Sequence, residues 1–110
     1  MAFLDQDFHS PLPHPGEILR EDFMKPLNLT AGRLASAMGL KDRTRIERLT
    51  RETQPVTPDT ALRLEQVFGA SASFWLNLQA QHDLSRLVMT HGEELRAIKR
   101  LTPQAPASTD

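Results

Sequence analysis

Apolar residues in this chain recur at helical spacing, and no stretch alternates as a strand would. Leu34, Ala35 and Met38 form one inward stripe, Gly39 breaks it, and Ile46 and Leu49 form a second stripe in the next helix. That second helix turns Arg43, Thr44, Arg45, Glu47 and Arg48 outward. Upstream, Ile18, Leu19 and Phe23 mark a helix opened by His14-Pro15-Gly16-Glu17 and closed by Pro26, whose ring cannot continue the backbone bonding. Thr30 is the expected N-cap of the helix running to about Met38, and Asp42 that of the arginine helix, which ends near Arg51. Thr57-Pro58-Asp59 repeats the start signal for a fourth helix through Leu62, Leu64 and Val67, closed near Gly69. Ser73 is expected to open a fifth helix reaching about Met89; His91-Gly92 interrupts, and Glu93 to Leu101 offers a sixth. The predicted fold is all-α, with five or six helices. Residues 1–13 read as a flexible arm, 14–101 as one helical domain and 102–110 as a disordered tail.

A length of 110 residues points to a single core. The absence of cysteine excludes disulfides and thiolate chemistry and suits a reducing, cytoplasmic setting. Met1 to Asp5 offer neither a basic stretch nor a long apolar run, so neither a signal peptide nor a membrane span is expected. The net charge of −1 conceals a division along the chain. Residues 1–30 carry two basic and five acidic side chains, residues 31–51 six and two, and residues 52–110 five and seven. A mildly acidic chain thus gathers its positive charge on one helix pair, the footprint of a small nucleic-acid reader.

Catalysis finds little here. His9, His14, His82 and His91, with Asp83 and Glu93, match no ligand spacing, so no metal or cofactor is expected. There is no glycine-rich phosphate loop and no nucleophile elbow, and Ser, His and Asp are scattered; the chain reads as a non-enzyme with no catalytic residue. Two short helices joined by a glycine turn, the second basic outside, is instead the helix-turn-helix arrangement for a DNA major groove. The plainer reading of the arginine face is a solvated surface, with Glu47 paired to Arg43 or Arg51.

Five short words of sequence narrow this further: His14-Pro15-Gly16-Glu17-Ile18-Leu19, Leu34-Ala35-Ser36-Ala37-Met38-Gly39-Leu40, Val56-Thr57-Pro58-Asp59-Thr60-Ala61-Leu62-Arg63-Leu64, Phe74-Trp75-Leu76-Asn77-Leu78-Gln79 and His82-Asp83-Leu84. In their order and spacing, from about His14 to Leu87, the chain resembles the HigA-type antitoxins of the XRE/Cro-like, lambda-repressor-like helix-turn-helix class. The resemblance implies a dimeric repressor that binds palindromic operator DNA and neutralises a RelE-like, RNA-cleaving toxin. It departs from that pattern between Gly39 and Ile46, where one residue more lengthens the turn before the recognition helix, and since many relatives have Gln or Ser-Gln at the helix start, the operator sequence does not carry over. A stand-alone XRE-type regulator without a toxin, or a helical module that meets an acidic protein, are the alternative functions.

Within this frame, Arg43, Thr44 and Arg48 are the expected base readers, because first-turn positions of a recognition helix, Arg43 and Thr44, reach base edges and Arg48 lies one turn further along the same face. Arginine suits guanine, whose O6 and N7 its planar fork meets together. Arg45 and Arg51 are expected on phosphates, and Thr30 either beside a phosphate or acting simply as a cap. Leu78, Leu84 and Leu87 are expected in a homodimer interface, since the last long helix carries more apolar surface than one small core covers. Asp5, Asp7, Glu17, Glu21 and Asp22, in the acidic first segment, are the candidate contacts for a basic toxin. Trp75 is expected in the core, where its indole N–H wants a partner.

Overall fold

The computed structural model describes residues 2–102 and is all-helical, with no strand among them. After a 3-10 turn at Phe3–Asp5 come α1 (Pro15–Ile18), which widens without interruption into a π-helical turn (Leu19–Met24), and α2 (Ala31–Ala37). Then follow α3 (Thr44–Thr50), α4 (Pro58–Phe68) and α5 (Ala72–Arg96).

The start of α1 is explained atom by atom. His14 caps it by accepting the Gly16 N–H on Nδ1 at 2.9 Å, and Pro15 takes the first position, where no N–H is needed. Gly16 is there for a different reason. A Cβ at that position would stand 1.8 Å from the Leu49 carbonyl oxygen, so only glycine lets α1 lie against the end of α3. Arg20 reinforces the contact by donating from Nη1 to the Thr50 carbonyl.

Between α2 and α3, Gly39 adopts φ +75°, and the N–H groups of Leu40 and Gly39 return to the carbonyls of Ala35 (2.9 Å) and Ser36 (3.0 Å). The same left-handed closure ends the first helix at Asn28 (φ 53°) and α3 at Glu52 (φ 63°). The core within this frame joins Leu19, Leu34, Met38, Ile46, Leu49, Leu64 and Trp75. Ile46 and Leu49 point inward, as their spacing predicts. Trp75 is fully buried against Phe23, at a ring-centroid distance of 4.8 Å, and its indole N–H finds no partner among the described residues. The expectation of a satisfied indole is not met.

Four boundaries differ from the pattern-based expectation. Arg43 takes the N-cap position of α3, with φ −86° and ψ −2° and no side-chain cap bond, while Asp42, one place earlier, supplies the capping bond by accepting the Thr44 N–H at 2.9 Å. The cap of α5 is Ser71, which accepts the Phe74 N–H at 3.0 Å; Ser73 lies inside the helix, since Ala72 already packs on the core. At His91 (φ −132°, ψ 16°) α5 kinks and then resumes only to Arg96, short of Leu101. Residues 2–12, expected as a loose arm, run back along α5. There the Leu12 N–H donates to the buried Ser85 Oγ (2.8 Å), His82 Nδ1 bonds the Leu12 carbonyl (2.7 Å) and Arg96 Nε donates to the Leu4 carbonyl (2.9 Å). Apart from Thr102, the expected C-terminal tail lies outside the described residues.

Candidate nucleic-acid interface

With Ile46 and Leu49 anchored below, α3 presents Arg43, Arg45 and Arg48 as exposed side chains and Thr44 half-buried, with exposed Arg51 at its C-cap. These cations are not equivalent. Arg43 Nε pairs with Glu47 Oε2 at 3.0 Å, one helical turn along. Arg45 reaches off the helix to Asp59 Oδ2 in the first turn of α4 and lies 3.4 Å from Thr60 Oγ1. Arg63 approaches the same carboxylate oxygen through Nε at 2.9 Å and donates from Nη1 to the Met38 carbonyl at 2.7 Å. Asp59 thus ties α3 and α4 together, and Arg63 extends the tie to the end of α2. Hydrogen bonds from Arg45, and then from Arg63, hold the Asp59 carboxyl below its ordinary value. Among the described residues, Arg48 and Arg51 make no ion pair, nor do the exposed Arg33 and Lys41 that flank the turn.

The Asp42 carboxyl is also held below its ordinary value, first by the Thr44 backbone N–H and then by the Thr44 hydroxyl. Thr30 caps α2, its Oγ1 accepting the Arg33 N–H at 3.2 Å. Sequence reasoning gave Asp59 only a helix-start role and gave neither it nor Arg63 a place in the site; their four-residue spacing on one helix was the available signal, and the reach of Arg45 to Asp59 had none.

The other candidate residues fall elsewhere. Asp5 and Asp7 are exposed on the segment along α5, whereas Glu17, Glu21 and Asp22 are exposed on the first helix. Lys25, and then Arg20, bond the Glu21 carboxylate and lower its pKa. Leu78 is half-buried against the core, but Leu84 and Leu87 are 43% and 48% exposed on α5.

A glycine-closed helix pair with an arginine-faced second helix over an apolar floor defines the class: a helix-turn-helix protein. Sequence comparison agrees. The chain is 49% identical over 74 residues to Virulence-associated protein I of Dichelobacter nodosus, covering 67% of this chain and 68% of that protein. It is 31% identical over 86 residues to Antitoxin HigA-1 of Vibrio cholerae, covering 78% and 80%. A solved structure of antitoxin GraA in complex with its operator superposes with a TM-score of 0.79 at 37% identity, over 89% of this chain and 98% of that one. No protein-family model matches the chain. On these relatives, the chain belongs to the HigA-type antitoxins of the XRE/Cro-like helix-turn-helix class, which are not enzymes.

Proposed function

We propose that this chain is a cytoplasmic antitoxin that binds operator DNA as a homodimer, represses its own operon and neutralises a RelE-like, RNA-cleaving toxin. One observation carries the DNA-binding part: α3 turns arginines outward while Ile46 and Leu49 hold its opposite face in the core. The operator bound by GraA supports it. Arg43, Thr44 and Arg48 read base edges, with the exposed Arg43 exchanging its half-buried Glu47 partner for a base at small cost. Arg51 and, once released from Asp59, Arg45 meet phosphates; the α2 terminus at Thr30 lies against the backbone. Leu78, Leu84 and Leu87 of α5 join two copies, so that two α3 helices meet successive major grooves about 34 Å apart. The acids Asp5, Asp7, Glu17, Glu21 and Asp22 leave a negative surface for a basic toxin while α3 stays on DNA. No helix of the described residues is long and apolar enough to cross a membrane.

Arginine substitutions test the division of labour. Arg43→Ala or Arg48→Ala costs roughly 1–3 kcal/mol on the operator and much less on random duplex. Arg51→Ala weakens both duplexes alike and lowers the salt slope by about one unit. Equal losses on both duplexes for Arg43 and Arg48 would falsify the base-reading assignment.

A further inference from the structure

We infer that Asp59 is a positioning residue that withholds Arg45 from DNA and so limits the strength and salt dependence with which α3 holds any duplex. The inference rests on the DNA-binding reading above and adds to it a residue outside the recognition helix. Three observations lead there. Arg45 is the cation of α3 that leaves its own helix, reaching Asp59 at the start of α4. Asp59 is held from a second side by Arg63, whose other nitrogen is fixed on the Met38 carbonyl, so the acceptor is anchored to the end of α2. All three side chains remain more than a third exposed, so the arrangement is a surface one that DNA can compete with.

Electrostatics gives the consequence. Non-specific binding is almost wholly phosphate attraction, so a cation already paired with a carboxylate adds little to it. The operator complex draws also on base contacts from Arg43 and Arg48, which Asp59 does not touch. Neutralising Asp59 therefore frees Arg45 for phosphate and strengthens binding to operator and random duplex alike.

The test uses the full chain in four forms: unaltered, Asp59→Asn, Arg45→Ala and the double variant. Each is titrated with a random duplex and with the duplex upstream of its own gene across a salt series, after thermal melting has shown each to be folded. Asp59→Asn binds both duplexes several-fold more tightly at low salt, with a log–log slope steeper by about one unit, while the operator-to-random ratio stays the same. The steepening disappears in the double variant, and Asp59→Glu, which keeps the carboxylate, restores the original slope. An unchanged slope in Asp59→Asn overturns the inference and leaves DNA binding standing. A steepening that survives in the double variant also overturns it, because the effect then comes from the lost acid and not from Arg45. Absence of salt-dependent binding of the unaltered protein to either duplex rejects the DNA-binding reading itself.

Discussion

The α2–α3 pair and the distal half of α5 solve the burial problem in opposite ways. In the pair, every large apolar side chain on the inner stripes is covered within the chain: Leu34, Met38, Ile46 and Leu49 are at most 5% exposed, and the charges stand outside. Beyond Gln79, α5 buries only Ser85, Val88 and Gly92, while Leu84, Leu87 and Met89 stay more than two-fifths exposed. The polar bonds from residues 2–12 bind one side of that segment and leave its leucines uncovered. A segment that is complete by itself can present chemistry to a ligand. One that is not complete calls for another surface.

Three changes break or sharpen this contrast. Ile46→Asp has the largest expected effect. It places an unpaired carboxylate on the fully buried floor of α3 and costs more than about 4 kcal/mol, enough to unfold a domain of marginal stability. Circular dichroism is expected to show the loss of helix. Leu84→Asp combined with Leu87→Asp strikes the other region and leaves the fold intact, because neither side chain belongs to the core cluster and both stay more than two-fifths exposed. Sedimentation is expected to show monomer in place of dimer with an unchanged helical spectrum. A double variant that sediments as the parent does would remove α5 from the interface.

The smallest effect comes from the joint between the two regions, where the His14 and His82 rings meet edge-on with centroids 4.9 Å apart. Burial first, and then the neighbouring His82, push the His14 pKa below its ordinary 6.5, with Arg86 acting in the same direction and Glu52 and Asp83 opposing. The unfolded chain therefore takes up a proton before the folded one does as pH falls. Stability is full above pH 6.5 and declines below it, until the folded-state pKa is passed. The slope is at most about 1.4 kcal/mol per pH unit for one proton. Protonation at Nδ1 also removes the acceptor that caps α1. Denaturant melts between pH 7.5 and 5 follow this decline, and His14→Asn, which keeps a capping acceptor without a titrating ring, flattens it.

What could be read in advance was what local pattern encodes. The helix order, the glycine turn, the proline starts at Pro15 and Pro58 and the inward set of Ile46 and Leu49 follow from spacing and backbone chemistry alone. What could not be read depended on contacts between distant residues. Ser71 and Ser73 are equal as caps in sequence, and the packing of Ala72 chooses between them. The run of residues 2–12 along α5 depends on bonds across seventy residues and more, such as Leu12 to Ser85, which no window of sequence contains. Within the site, α3 was legible as a row of arginines, but the pairing that distinguishes Arg45 from Arg48 came only with the placement of α4.

The Gly16 contact has a mechanical side. Where two helices meet through side chains, rotamers yield and a push on one is partly absorbed before it reaches the other. Here the backbone of α1 rests on the Leu49 carbonyl, and the Arg20 strut crosses to the next carbonyl along. On the α1 side of that contact there is no rotamer to turn aside. Any side chain placed at position 16 therefore has to be accommodated by moving one helix backbone away from the other.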